Sequence, residues 1–216
     1  MTETEVRIID EAPLRYLLSL PPGGEGGEPR PVLVFLHGYD EGAPMEIHRA
    51  LTLHGPLRPG NPAVVTEQFV VIAPQLPVRG DLWLRSADAV RDVVRQVQEE
   101  QAGDPRRTYL TGFSFGGNGV FDLALAQPGV WAALWSVEPT RVPPRDPGLP
   151  VWLSSGEISR RRGAVFNGAL GLHPAGPAEP GDRVYTDHGM DHVGTATLAY
   201  RDARIYRWLL ARSVES

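Results

Sequence analysis

A serine between two glycines is the residue of this sequence best placed to act as a nucleophile. The segment Gly112-Phe113-Ser114-Phe115-Gly116 has the G-x-S-x-G spacing found where a strand turns sharply into a helix. Side chains at the two glycine positions would collide with such a turn, which explains why glycine stands there. The apolar pair Tyr109-Leu110 leads in, and the helical pattern of residues 117–126 leads out. The pattern predicts Ser114 as a nucleophile, with helix amides directed at a developing oxyanion.

A serine nucleophile needs a base, and two histidines stand late in the chain. They belong to the segment Asp187-His188-Gly189-Met190-Asp191-His192. His192 lies between the last predicted strand and the closing helix, where a loop can carry it over Ser114, so we expect it to be the general base. His188 should lie against the strand end in a structural role. The remaining histidines His48, His54 and His173 are expected in loops, without a function.

Two further stretches have the right position to line the same site. His37-Gly38-Tyr39 follows an apolar strand, and the loop after that strand donates an amide to the oxyanion hole in architectures of this kind. We expect the donors to be the amides of Tyr39 and Phe115, and His37 to brace the loop. Trp83, in the loop after the next strand, is expected to line the substrate-binding pocket.

Short apolar runs alternate with amphipathic stretches, which is typical of a parallel sheet covered by helices. This pattern predicts the α/β class. In the helix that Ser86 caps, Val90, Val93, Val94 and Val97 recur at helical spacing. Other helices are predicted at residues 117–126 and 202–211, and strands at 6–9, 14–20, 32–36, 69–73, 108–111, 131–137, 151–154 and 183–186.

The overall composition excludes several classes of protein. The 216 residues suit a single domain spanning 1–216, and the formal charge of −5 offers no basic stripe for nucleic acid. With no cysteine, disulfides and thiolate chemistry are excluded. No apolar run is long enough to span a membrane and the N-terminus has no signal-peptide pattern, so we expect a cytoplasmic location. No metal or organic cofactor is expected, and the oligomeric state, monomer or homodimer, stays open.

These segments resemble the esterase branch of the α/β-hydrolase superfamily, near the dienelactone hydrolases, the phospholipase/carboxylesterases and the predicted-peptidase-like esterases. The likeness rests on Phe35-Leu36-His37-Gly38, on Ala73-Pro74-Gln75 and on the run from Arg107 through Gly117. It continues in the tail, where Ala199-Tyr200-Arg201-Asp202 follows His192. The resemblance implies an α/β-hydrolase fold with a mostly parallel sheet. It also implies the roles assigned above to Ser114, His192, Tyr39 and Phe115.

The acid that should orient His192 departs from the family pattern. Family members usually have an aspartate three residues after a glycine that follows the seventh strand, but Ser159 stands at that place after Gly156. We expect Glu157 to replace it, two residues early but one methylene longer. Glu138, after the sixth strand, is the second choice. The third possibility is that no carboxylate orients His192, which would leave a slow or inactive enzyme.

Residues 138–150, between the sixth and seventh strands, are too few for a helical cap, so an open site without a cap domain is expected. Such a site favours a small-molecule ester of short or medium acyl chain, cleaved through an acyl-enzyme. The alternatives are a small peptidase or amidase with the same site, and a catalytically degenerate binding protein. The run Arg160-Arg161-Arg162 is expected to form a solvated face.

Overall fold

The computed structural model describes residues 6–10, 13–22, 28–176 and 180–214, and a single β-sheet runs through these ranges. Its order is β1-β2-β4-β3-β5-β6-β7-β9-β8. The pairs β1/β2 and β2/β4 are antiparallel, and all other pairs are parallel. The strands are β1 (Val6–Ile9), β2 (Tyr16–Ser19), β3 (Arg30–Leu36), β4 (Val70–Pro74), β5 (Gly103–Phe113), β6 (Ala133–Val137), β7 (Val151–Ser155), β8 (His173–Pro174) and β9 (Arg183–Asp187).

Helices cover both faces of this sheet. They are α1 (Ile47–Leu53), α2 (Val64–Gln68), α3 (Ala87–Glu100), α4 (Phe115–Ala126), α5 (Glu157–Arg160), α6 (Gly163–Leu170), α7 (His192–Arg201) and α8 (Ala203–Leu210), with a 3₁₀ turn at Trp83–Ser86. None of the helices in the described ranges is long and apolar enough to cross a membrane. The predicted α/β architecture, a mostly parallel sheet flanked by helices, is confirmed.

The central strands are apolar along their length because both of their faces are buried. In β3 the side chains of Val32, Val34 and Leu36 belong to one core, and those of Leu33 and Phe35 belong to the other. This alternation follows from the two-residue repeat of a strand. Helices α3, α4 and α6 pack on the first core, whereas α1, α2, α7 and α8 pack on the second.

The predicted helix after Ser86 is confirmed as α3, with Val90, Val93, Val94 and Val97 all buried. Ser86 is its N-cap residue, although its side chain makes no capping hydrogen bond. Burial of the valine stripe against the sheet thus stabilises this helix more than a cap does.

Several short elements were not predicted. Helix α1 contains His48, and His54 is its C-cap residue, so the expectation that these histidines lie in loops is wrong for His48. His173 lies in the two-residue strand β8 rather than in a loop. These elements have seven and two residues, too short for hydrophobic periodicity to distinguish them from irregular chain.

The connection from β6 to β7 bears on access to the site. Residues 138–150 are all described and contain no helix or strand. The expected absence of a cap between these strands is therefore confirmed.

We predict that Leu110→Ala, in the middle of β5, lowers the free energy of unfolding by about 2–5 kcal/mol, because its buried side chain leaves a cavity between sheet and helices. The matched control is Leu198→Ala, whose side chain is 41% exposed and which should change stability by less than about 0.5 kcal/mol. Urea unfolding followed by tryptophan fluorescence measures both. Equal effects of the two substitutions would contradict the assignment of β5 to the core.

Candidate active site

Ser114 occupies a strained turn between β5 and α4. Its φ and ψ of 57° and −113° lie in a region that side chains rarely adopt, and its N–H donates to Val137 O at 2.9 Å. A Cβ at Gly112 would overlap Gly116 O, and one at Gly116 would overlap Leu36 O. Glycine is thus required at both positions by the close approach of main chain. The turn predicted from the glycine spacing is present.

The structure brings His192 to Ser114. His192 Nε2 lies 2.8 Å from Ser114 Oγ, within hydrogen-bond distance. The two residues are 78 positions apart in sequence, and they meet because β5 and the loop before α7 end at the same edge of the sheet. In this geometry the imidazole can accept the hydroxyl proton as the oxygen attacks an electrophile.

The start of α7 holds His192 in place. Asp191 is the N-cap residue, and its side chain accepts from Gly194 N at 2.7 Å. Farther along the helix, the buried Tyr200 hydroxyl lies 3.1 Å from Thr111 Oγ1 of β5. The cap holds the first turn of α7, and the Tyr200 contact joins its last turn to β5. The helix thus has a defined position relative to the Ser114 turn.

Glu138 is the carboxylate that faces His192. Its Oε2 lies 3.0 Å from His192 Nδ1, and its side chain is fully buried. Oε1 accepts from Gly156 N at 2.8 Å and from Ser159 N at 3.0 Å, and Oε2 accepts from Ile158 N at 3.0 Å. The Ser159 hydroxyl also donates to Oε1. Ser159, which stands where the resemblance led us to expect an aspartate, therefore binds the carboxylate that faces His192.

These donors decide the charge of Glu138. Burial by itself raises the pKa of a carboxyl, but the hydrogen bonds from His192, Ser159 and Ile158 outweigh it and lower the pKa of Glu138 to about 2. Glu138 is consequently a carboxylate at neutral pH. An anion at Nδ1 keeps the proton on that nitrogen and leaves Nε2 free to accept from Ser114.

The ranking of Glu157 ahead of Glu138 is corrected by this geometry. Glu157 is the first residue of α5; its side chain is 51% exposed and accepts from Arg161 at 2.9 Å. Its amide donates to Met190 O, so its main chain lies near the loop before α7 while its carboxylate points to solvent. The extra methylene gives no advantage, because the Glu157 side chain is directed to solvent, where it pairs with Arg161.

The loop after β3 lies beside the Ser114 turn, and the buried side chain of His37 holds it in place. Leu76 N donates to His37 Nε2 at 3.0 Å, which leaves the proton on Nδ1 to bind Gly38 O at 2.7 Å. Burial lowers the pKa of His37 to about 4, so the ring is neutral and keeps this arrangement. The Tyr39 ring stands edge-on to the Phe115 ring at 5.2 Å. Because Phe115 begins α4, its N–H has no acceptor within the helix.

Trp83 lies in the core rather than at the surface of the site, which corrects its expected substrate-binding role. It is 2% exposed, and its Nε1 donates to His37 O at 3.1 Å. A Cβ at Gly119 would come within 2.8 Å of its ring, so α4 packs directly on it. Trp83 therefore joins the loop after β3 to α4, and a substrate cannot reach it without moving that packing.

The three consecutive arginines singled out in the sequence lie on the surface. Arg160 forms two hydrogen bonds to Asp187, Arg161 pairs with Glu157, and Arg162 donates to Thr140 O. All three arginines are exposed, as expected of a solvated face. Within the described ranges no three His, Asp or Glu side chains are grouped closely enough to hold a metal ion.

One signal in the sequence could have ranked Glu138 first. β6 pairs with β5 in parallel, and Phe113 stands opposite Val137. The residue after Val137 must then lie next to Ser114 at the carboxyl edge of the sheet. A glutamate directly after a buried strand, next to the strand that carries the nucleophile, is closer to the site than one that begins a later helix.

The order of the sheet, its covering helices and the turn at Ser114 define the α/β-hydrolase fold, which confirms the expected resemblance at the level of fold. A thermostable esterase has a similar structure, with a TM-score of 0.75 and 22% identity over 98% of this chain and 63% of its own. This chain thus spans less than two thirds of that esterase. The S-formylglutathione hydrolase FrmB of Staphylococcus aureus has a TM-score of 0.68 and 14% identity, over 94% of this chain and 96% of its own.

The fluorophosphonate-binding serine hydrolase FphF of Staphylococcus aureus is also similar, with a TM-score of 0.67 and 13% identity over 94% of this chain and 96% of its own. No protein-family model matches the sequence, and no curated protein matches it either. At these identities the likeness establishes the fold alone, because one fold can carry many different activities.

We predict that Glu138→Gln lowers kcat/KM for an activated ester by about 10²- to 10⁴-fold, because an amide in place of the carboxylate no longer holds His192 in the required tautomer. Glu157→Gln is the matched control and should change kcat/KM by less than about 2-fold, since its side chain faces solvent. Steady-state kinetics of both purified variants and of wild type measure kcat/KM. A large loss in Glu157→Gln with little loss in Glu138→Gln would overturn the assignment.

Glu138 should also contribute to stability in a pH-dependent way. Its pKa is lowered from 4.5 to about 2 on folding, so its contribution is complete above pH 4.5 and is lost as the pH falls toward 2. We expect the difference in free energy of unfolding between wild type and Glu138→Gln to shrink steadily from pH 4.5 to pH 3 in urea titrations. A difference that stays constant over this range would show that the carboxylate is not stabilised in its charged form.

Proposed function

We propose that this protein is a serine hydrolase that cleaves carboxylic esters of short or medium acyl chain through an acyl-enzyme. The observation that carries the proposal is the continuous hydrogen-bonded series Ser114–His192–Glu138, with distances of 2.8 and 3.0 Å. A hydroxyl, an imidazole and a buried carboxylate in this order are the parts that activate a serine as a nucleophile. The structural likeness to esterases and other serine hydrolases agrees with it.

In the first step Ser114 Oγ attacks the ester carbonyl while His192 Nε2 takes the hydroxyl proton. Glu138 stabilises the imidazolium that forms. The main-chain amides of Tyr39 and Phe115 bind the oxyanion of the tetrahedral intermediate, with the first turn of α4 adding its favourable dipole. His192 then gives its proton to the leaving alcohol, whose departure leaves an acyl group on Ser114.

In the second step water attacks the acyl-enzyme. His192 removes a proton from the water, the same amides bind the second oxyanion, and the proton returns to Ser114 as the acid leaves. These steps need no cofactor. The short 138–150 connection leaves the edge of the sheet without a helical cover, which favours substrates that do not require a closed tunnel.

We predict that wild type hydrolyses p-nitrophenyl acetate and butyrate and is labelled at Ser114 by a fluorophosphonate, whereas Ser114→Ala loses labelling and about 10³-fold or more of kcat. Ser213→Ala, an exposed serine near the C-terminus, is the control and should behave as wild type. Labelling is located by mass spectrometry of peptides, and turnover is measured by p-nitrophenolate absorbance.

The same assay distinguishes an esterase from a peptidase or amidase when the p-nitroanilides of acetic and butyric acid are tested as further substrates. Comparable kcat/KM for esters and anilides would favour a peptidase or amidase, because amides have the poorer leaving group. Wild type that neither turns over nor labels would overturn the hydrolase proposal and favour a binding protein with this fold.

A further inference from the structure

Glu41 and His54 form a second carboxyl–imidazole pair behind the candidate site, and the mechanism above does not use it. Glu41 lies in the loop after β3 and is 6% exposed, and His54 ends α1 with its side chain 11% exposed. His54 Nε2 is 3.6 Å from Glu41 Oε1, close enough for an electrostatic interaction but outside hydrogen-bond distance. A buried ionisable pair of this kind is costly to maintain, which calls for a physical reason.

The polar atoms of this pair are incompletely satisfied. Among the residues that the structure describes, Glu41 Oε2 and His54 Nδ1 have no hydrogen-bond partner. Burial raises the pKa of Glu41, and the main-chain amides of Glu41 and Gly38 oppose the rise. Burial also lowers the pKa of His54 to about 4, so its imidazole is neutral at physiological pH.

Glu41 contacts the loop after β3, which contains the proposed oxyanion donor Tyr39. Its Oε2 fills the space at Gly38 where a side chain would begin, because a Cβ there would lie 2.7 Å away. Gly38 directly precedes Tyr39, whose amide is the proposed oxyanion donor. Because the Glu41 carboxyl occupies this space, the main chain at Gly38 cannot move toward it. The position of the next amide, that of Tyr39, therefore depends on the Glu41 side chain.

His54 contacts the part of the site that contains His192 through the Phe113 ring. The His54 ring lies 4.8 Å from the Phe113 ring, and Phe113 lies 4.7 Å from the His192 ring. Phe113 is the residue before Ser114. The pair thus touches both the loop that should bind the oxyanion and the ring against which the base packs.

We propose that Glu41 and His54 are positioning residues, which hold the main chain of Gly38 and Tyr39 and, through Phe113, the plane of the His192 ring. This inference rests on the hydrolase function proposed above. Displacements of about 1 Å in such groups can cost on the order of 10²-fold in rate, because the amide and the imidazole must meet the transition state at defined distances. The effect of the pair should therefore fall on kcat and leave KM nearly unchanged.

The charges around the pair have to be considered in any pH measurement. Asp40 on the same loop and His192 of α7 act on Glu41, and Arg58 and His192 act on His54. A carboxylate at Glu41 would favour the His192 imidazolium but disfavour a nearby oxyanion, so its charge has opposing effects on the two halves of the site. Glu41→Gln, which keeps the size and removes the charge, separates position from charge.

The test compares Glu41→Ala, Glu41→Gln, His54→Ala and His54→Phe with wild type, using p-nitrophenyl butyrate turnover and the rate of fluorophosphonate labelling. Both alanine variants should lose about 10- to 100-fold in kcat, with KM within about 2-fold and with slower labelling. Glu41→Gln and His54→Phe should each recover kcat to within about 3-fold of wild type, since they refill the space beside Gly38 and Phe113. Glu67→Ala and His48→Ala, both exposed, are the matched controls and should match wild type.

A merely structural role would lower the melting temperature of the alanine variants and leave kcat unchanged well below that temperature, and this result would overturn the proposal. If Glu41→Ala does not fold, Glu41→Asp replaces it, because its shorter side chain withdraws from Gly38 and should lower kcat in the same way. Wild type without turnover or labelling would overturn both proposals together. Active wild type with unchanged kcat in the alanine or aspartate variants would overturn this one alone.

Discussion

The buried carboxylate of Glu138 is the constraint on which the geometry of the site depends. A charge that is fully removed from water is tolerated only when hydrogen bonds replace its hydration. Here main-chain amides after β7, a serine hydroxyl and the His192 ring supply those bonds. Because the carboxylate and its donors belong to three separate parts of the chain, satisfying this one group fixes the end of β6, the turn after β7 and the start of α7 relative to one another.

Ser114 and Glu138 directly follow two adjacent strands, β5 and β6, and both have a strained main chain. Ser114 has a φ of 57° and Glu138 a φ of 48°, each costing on the order of 1–3 kcal/mol. Ser114 N donates to Val137 O, and Glu138 N donates to Ser154 O at 2.8 Å. The parallel ladder thus continues one residue past each strand and holds both side chains above the carboxyl edge. Serine and glutamate emerge side by side because their strands are neighbours.

The sequence predicted the framework better than the helices that support the site. The strand β3 could be predicted from its continuous apolar run, and the helix α3 from the helical spacing of its valines. Helix α7 contains Gly194, Thr195 and Thr197, which have weak helix propensity, and it is held instead by the burial of Tyr200 and Ala199 against the sheet. Local pattern cannot reveal an element whose stability comes from contacts with distant residues.

Ser114 and His192 could be recognised from the sequence because each stands in a local context with a chemical meaning: a glycine-flanked turn, and a late loop before the closing helix. The carboxylate could not be recognised in this way. Glu138 and Glu157 both follow buried strands, and although Glu138 stands directly after its strand while Gly156 separates Glu157 from the strand before it, the local sequence does not say which strand lies beside that of Ser114. Only the tertiary structure decided between them, because the first leaves a strand paired to that of Ser114 whereas the second starts a helix whose side chain points to solvent.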